Sequence, residues 1–177
     1  MKLAANLLKI SLLLALLPAS ASAVTITISA PSDSATEITL TATGTYNFPL
    51  DNAISFSSIG DYIGDDGPDG KTVNLSAGIL ANGVAATDTY LDHDPGGGDD
   101  FWLTFSTSLN GSYTVSGSAT ADLSGIGHTF GQFNIGTYES GDNSLIVEYS
   151  SVPDTGSTAA LLGAGVVALA FDRRKLG

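Results

Sequence analysis

Apolar and polar residues alternate with a period of two along most of the chain that follows Ala23. Val24, Ile26 and Ile28, for example, are separated by threonines. Successive side chains of a strand point to opposite faces, so this pattern predicts half-buried strands, and residues 24–151 contain no convincing helical period. The predicted strands cover residues 24–29, 36–48, 54–58, 72–76, 101–107, 113–121, 129–136 and 144–150.

An Asn-Gly pair at Asn110-Gly111 separates two strongly alternating runs, residues 101–107 and 113–121. Asn-Gly between alternating runs is a strong signal for a tight turn, so we predict a β-hairpin here. About eight to ten short strands with Gly- and Asp-rich turns are typical of all-β domains. The pattern therefore favours an antiparallel β-sandwich, with a jelly roll among the arrangements that it allows.

The first 23 residues have a different pattern. Lys2 and Lys9 precede an apolar run at residues 10–17, and Ala21-Ser22-Ala23 follows Pro18. A basic start, a short apolar core and small residues at the end are typical of a secretory signal peptide. We therefore predict that signal peptidase cleaves after Ala23 and recognises Ala21 and Ala23.

The last part of the chain contains an uncharged run of 14 residues, 158–171, followed by a basic end at Arg173, Arg174 and Lys175. As a helix this run would be about 21 Å long, whereas a hydrocarbon core is roughly 30 Å thick. We predict a short transmembrane helix that inserts transiently, with the basic cluster as a stop-transfer signal. The chain then divides into a signal peptide (1–23), a β-sandwich domain (24–151) and a C-terminal sorting signal (152–177).

A short motif precedes the uncharged run. Its residues are Val152, Pro153, Asp154, Thr155 and Gly156. With the Ser-Thr-Ala-Ala-Leu-Leu-Gly that follows and the basic end, Val152 to Gly177 resembles a VPDSG-CTERM sorting signal, a variant of the PEP-CTERM tails that exosortases process. The resemblance implies an exosortase-type partner, a transient stay in the inner membrane, and a final place at the cell surface or in an extracellular matrix containing exopolysaccharide.

One position of the motif departs from the family, because Thr155 stands where a serine is usual. Val-Pro-Asp-Thr-Gly also resembles the Leu-Pro-x-Thr-Gly motif of sortase substrates. A sortase-anchored cell-wall surface protein is therefore an alternative.

Charge is distributed unevenly, with a net charge of −12 for the whole chain. Between the two terminal segments, Lys71 is the only basic residue against 16 aspartates and glutamates. Nucleic acid is excluded as a partner, because its binding depends on Lys and Arg at phosphates. The chain has no cysteine, which excludes thiol nucleophiles and cysteine metal sites. No Gly-x-Ser-x-Gly elbow occurs either. We expect no enzymatic activity, and a small secreted hydrolase with two catalytic carboxylates is a third hypothesis.

Two acidic, glycine-rich segments, residues 61–70 and 88–100, suggest a cation site. Calcium takes six to eight oxygen ligands from flexible, carboxylate-rich loops, although the spacing here is not that of an EF-hand. The candidate ligands are Asp61, Asp65, Asp66, Asp69, Asp92, Asp94, Asp99 and Asp100. His93 lies in the second segment, and a zinc site with His128 would require the fold to bring the two together. Solvated acidic turns are the alternative.

Tyr90 and Trp102 flank the second acidic segment. Exposed aromatic side chains stack on sugar rings in many carbohydrate-binding β-domains, although a single tryptophan is more often part of a core. The sequence therefore favours an exported structural protein of the cell envelope or extracellular matrix, associated with exopolysaccharide. A carbohydrate-binding or adhesive module that uses Tyr90 and Trp102 is the alternative.

Overall fold

The computed structural model describes residues 23–150. The eight strands are β1 Ala23–Ala30, β2 Glu37–Phe56, β3 Lys71–Asn74, β4 Leu80–Ala81, β5 Val84–Asp92, β6 Asp100–Asp122, β7 Gly136–Ser140 and β8 Asn143–Tyr149. Two short 3-10 helices, Leu123–Ile126 and Phe130–Gln132, connect β6 to β7. No helix in residues 23–150 reaches seven residues, and none there is long and apolar enough to cross a membrane. The prediction of an all-β domain is confirmed.

All eight strands belong to one curled sheet with the order β3-β5-β4-β6-β2-β1-β8-β7 and an additional pairing between β5 and β6. The finer prediction, a sandwich of two sheets, is not confirmed. Strand pairs are antiparallel with one exception, since β1 and β8 run parallel from Thr25–Ser144 to Ala30–Tyr149. Parallel neighbours need a long crossover connection, and here the rest of the domain provides it.

The two longest strands, β2 and β6, pair along most of their length. Asn110 and Gly111 lie inside β6, where Asn110 pairs with Pro49. The predicted hairpin at this position is therefore wrong. Gly111, which pairs with Phe48, has a φ of 101°, and Leu50, which lies at the irregularity of β2 between Pro49 and Asp51, has a φ of 61°. Because β2 pairs with β6 on both sides of this point, the left-handed residues do not reverse the chain.

Residues 129–136 differ from their predicted strand as well. Phe130–Gln132 forms a 3-10 helix, and the Gln132 side-chain oxygen accepts a hydrogen bond from the Thr129 N–H at 2.9 Å. This local cap satisfies a donor that a strand would offer to a neighbour. The alternating apolar residues still serve the core, since Phe130 and Phe133 are buried and stack with ring centroids 6.0 Å apart.

The core fills the inside of the curled sheet and is built largely from alternate residues of the strands. Phe48 packs edge-on against Phe105 and Tyr113, with both centroid distances 5.5 Å. Phe56 and Phe101 stack at 5.8 Å. Since the chain has no disulfide, packing of this kind and the strand hydrogen bonds hold the domain together.

Candidate functional site: an aromatic groove beside two acidic loops

The two acidic segments are neighbours in the structure. Residues 57–70 follow β2, and residues 93–99 connect β5 to β6. The Ile59 N–H donates to the Asp99 carbonyl at 3.2 Å, the Asp99 N–H donates to the Gly60 carbonyl at 3.2 Å, and the His93 N–H donates to the Pro68 carbonyl at 3.2 Å. The backbone therefore ties the first loop to the second.

Asp99 is completely buried at the centre of this contact. Its Oδ2 accepts the Ile63 N–H at 2.6 Å, and its Oδ1 accepts the Asp94 N–H at 3.2 Å and lies 3.0 Å from His93 Nδ1. A buried carboxylate requires such donors, because an unpaired charge away from water is costly. Asp99 thus connects both loops and is occupied by protein donors.

His93 is 9 % exposed, and its Nε2 has no hydrogen-bond partner among residues 23–150. Asp65 Oδ1, on a fully exposed side chain, lies 3.9 Å from this nitrogen. The other histidine, His128, has its own partner in Gln132 at 3.0 Å.

Two of the remaining calcium candidates each accept a hydrogen bond from a backbone N–H. Asp92 Oδ1 accepts the Gly70 N–H at 2.8 Å, and Asp100 Oδ1 accepts the Ser58 N–H at 2.9 Å. The other candidates, all of them exposed, are Asp61, Asp65, Asp66, Asp69 and Asp94. Residues 23–150 contain no group of three or more His, Asp or Glu side chains that could hold a metal ion. Calcium binding stays a prediction from the sequence.

Tyr90 on β5 and Trp102 on β6 are cross-strand partners. Their rings stack with centroids 4.8 Å apart and planes 27° apart, and Trp102 is 40 % exposed. The structure therefore brings together the two aromatic residues that the sequence singled out, on the outer face of the sheet.

The hydroxyl of Tyr90 lies in the field of Asp92. Desolvation, followed by the charge of Asp92 and a hydrogen bond to it, raises the pKa of Tyr90 above its usual value. Asp92 is in turn fixed by the Gly70 N–H. The Tyr90 hydroxyl and the Gly70 N–H thus share the Asp92 carboxylate as a neighbour.

A groove of about 380 Å³ opens beside Trp102. It is lined by Asp51, Asn52, Ala53, Ser55, Ser57, Trp102 and Thr104. Ser55 on β2 pairs with Trp102 from the side opposite to Tyr90, because β6 lies between β2 and β5 in this part of the sheet. The indole thus separates its stacked tyrosine from the groove. The sequence analysis missed the β2 residues, since only the register of β2 with β6 reveals them.

Several predicted sites lie outside the described residues. They are Ala21 of the signal cleavage site, the motif Val152, Pro153, Asp154, Thr155 and Gly156, the run 158–171, and the basic cluster Arg173, Arg174 and Lys175. Ala23, the other cleavage residue, begins β1.

The family model of the VPDSG-CTERM motif matches residues 151–176. This match confirms the resemblance that the sequence suggested for the tail. Among curated proteins, none matches the chain. The motif is a sorting signal that implies processing by an exosortase-type enzyme, and it points to export and to a surface or extracellular location.

Proposed function

We propose that this chain is a structural protein of the extracellular polysaccharide matrix, delivered there by its C-terminal sorting signal, with a folded domain that has no catalytic activity. The observation that carries the proposal is the match of residues 151–176 to the VPDSG-CTERM motif. The domain of residues 24–151 is then the cargo, and the tail determines where it goes.

The physical character of the tail supports temporary retention. The run 158–171 is shorter than the roughly 20 residues of an ordinary membrane span, and the cations at Arg173, Arg174 and Lys175 resist translocation. A thin span stopped in this way holds the chain at the membrane while an exosortase-type enzyme acts near residues 152–156. The sequence continuing from Ser157 favours this enzyme class over a sortase.

The domain offers support for a non-enzymatic role. Asp99 and His93, the buried acid and base of the domain, contact each other and fasten two loops. Within residues 23–150, Nδ1 of His93 contacts Asp99 and its Nε2 has no hydrogen bond, so no serine or threonine hydroxyl is activated by this ring. A pair that holds loops together in this way serves the fold.

Intact mass spectrometry of the protein recovered from the cell surface and medium tests the proposal. We expect a chain that begins at Val24 and has lost Arg173 to Lys175. A mature protein that keeps these three residues would contradict processing, and a mass that includes a cell-wall peptide would favour the sortase alternative. Replacing the three basic residues by alanine is the matched variant and is expected to reduce processing.

Carbohydrate binding is a second candidate for the domain itself. The specific observation in its favour is the stacked pair of Tyr90 and Trp102 beside a groove. A matrix protein with such a site would bind the polysaccharide directly and would not merely be embedded in it.

A further inference from the structure

The groove beside Trp102 has the size and chemistry of a ligand site. Its volume of about 380 Å³ falls in the range of small-molecule sites, roughly 300–1,000 Å³. One wall is the indole of Trp102, and β2 contributes two small residues, Ala53 and Ser55, together with Asp51 and Asn52. A flat ring can lie against the indole on this side, because Tyr90 stacks from the β5 side.

The polar lining is suited to hydroxyl groups. Ser55, Ser57 and Thr104 offer hydroxyls that both donate and accept, and Asn52 offers an amide with the same capacity. Asp51 is the only ionised group in the lining, and its Oδ1 already accepts the Asn52 N–H at 2.6 Å. An aromatic wall facing neutral donors and acceptors matches a pyranose ring, which has apolar C–H faces and a rim of hydroxyls.

The surrounding charge restricts which sugars fit. Asp92 and Asp100 are cross-strand partners two pairs beyond Tyr90 and Trp102, and Asp88 pairs with Thr104 on the other side of the aromatic pair. Lys71 is the only basic side chain other than histidine in residues 24–150. Carboxylates on both sides of the aromatic pair, together with Asp51 in the groove lining, repel acidic ligands.

The aromatic wall is ordered before any ligand arrives. Tyr90 stacks on Trp102 with ring centroids 4.8 Å apart, and Asp92 beside it accepts the Gly70 N–H at 2.8 Å. A side chain that is already fixed loses little conformational entropy on binding. Tyr90 therefore acts as a positioning residue, while Trp102 makes the contact.

We propose that the groove beside Trp102 binds a neutral pyranose oligosaccharide, with the indole stacking on a sugar ring and Ser55, Ser57, Thr104 and Asn52 contacting its hydroxyls. This inference rests on the proposed function, because it supplies the contact by which the exported domain holds matrix polysaccharide. Acidic polysaccharides are not ligands.

The experiment titrates the mature protein with cellohexaose and maltohexaose as neutral probes, a uronic-acid hexamer as an acidic probe and a glucosamine hexamer as a cationic probe. Trp102 is the only tryptophan in the chain, so its fluorescence reports directly on the groove. We expect at least one neutral probe to shift the emission, and neither charged probe to bind as tightly. Binding of the acidic or the cationic probe in preference to both neutral ones, or of none, overturns the proposal.

Substitutions can distinguish a loss of binding in the groove from a loss of the fold. Trp102→Ala is expected to weaken binding about tenfold or more in calorimetry. Ser55→Ile fills the groove but leaves the aromatic pair in place, and because Ser55 is exposed it tests the same site without disturbing the core. Ile135→Ala is the matched control, since Ile135 is 50 % exposed and lies on the β7 side of the sheet. Folded Ser55→Ile protein that binds like the wild type contradicts the assignment.

Tyr90→Phe tests the positioning role. It keeps the ring and removes the hydroxyl that contacts Asp92, so we expect weaker binding with unchanged Trp102 exposure to a collisional quencher. Mass spectrometry of the same samples reads processing independently. Correctly processed termini without sugar binding would contradict only the assignment of the groove as a sugar site. Unprocessed termini would contradict the proposed function.

Discussion

The carboxylate of Asp99 lies 3.0 Å from Nδ1 of His93 and has no exposed surface. Through its own backbone, Asp99 also exchanges hydrogen bonds with Ile59 and Gly60 on the preceding loop. One buried side chain therefore organises two acidic loops whose other carboxylates would repel each other. Loss of this residue should affect stability before it affects any ligand.

We predict that Asp99→Ala lowers the free energy of unfolding by about 3 kcal/mol, because it leaves the N–H groups of Ile63 and Asp94 without their acceptor inside the protein. Urea denaturation measures the change. Asp66→Ala, an exposed carboxylate in the same loops, is the control and should stay within about 0.5 kcal/mol of the wild type. Equal effects of the two substitutions would show that Asp99 does not fasten the loops.

Because the Tyr62 hydroxyl is buried, we predict that the free energy of unfolding decreases in alkali. Burial, followed by the charges of Asp99 and Asp100, raises the pKa of Tyr62 well above 10.0. The unfolded chain releases this proton near pH 10 while the folded protein retains it, so stability present below pH 10 falls as the pH rises further. For one group the slope is about 1.4 kcal/mol per pH unit.

Tyr62→Phe isolates this contribution. At pH 8 the variant should be less stable by about 1 kcal/mol, because the hydroxyl donates to the Asp100 carbonyl at 2.9 Å. Above pH 10 the difference should shrink and then reverse, as only the wild type has this proton to lose. Urea midpoints between pH 8 and 11.5 measure it, and parallel curves for the two proteins would contradict the assignment.

We predict that β6 does not tolerate a side chain at Gly117. Its φ is 115°, and an added Cβ would lie 2.0 Å from the Gly78 carbonyl oxygen. Gly117→Ala should therefore cost about 3 kcal/mol or more, since both the backbone and its neighbour must move. Gly125→Ala is the control, because a Cβ there meets open space. Thermal unfolding of both variants makes the comparison, and similar melting temperatures would refute it.

Calcium is predicted from the acidic loops. With Asp99 occupied by protein donors, the exposed carboxylates of Asp65, Asp66 and Asp69 would have to converge on the ion. Calcium at 100 times its Kd would then add about 2.7 kcal/mol of stability, and EDTA would remove it. Differential scanning calorimetry measures the shift, with Glu139→Gln on β7 as a remote control for Asp65→Asn. A melting temperature that changes with neither calcium nor EDTA would contradict the prediction.

The sequence predicted the strands better than their connections. Alternation located β1, β8 and both halves of β2 and β6, because burial of one face imposes that period directly. It failed at Asn110-Gly111, where a strong local turn signal was overridden by pairing with β2. The parallel neighbours β1 and β8 were also missed, since partners so far apart in sequence leave no local pattern.

The residues of the candidate site were also predicted better than the contacts between them. Tyr90 and Trp102 attracted notice as aromatic residues near an acidic segment, but their stacking depends on the register of β5 with β6. Asp99 looked like any other aspartate in its glycine-rich stretch. Its burial depends on the contact between two loops, which composition does not encode.

The parallel pairing of β1 with β8 sets the order in which an exported domain completes its fold. Val24 emerges early, yet the Asn143 oxygen that its N–H contacts is 119 residues further along. Contacts so distant in sequence form late, because a long loop must close first. The first strand keeps one edge open until the last strand has been secreted, and residues 151–176 follow immediately. The sorting motif follows every strand of the domain, so closure of this edge and arrival of the motif belong to nearly the same stage of export.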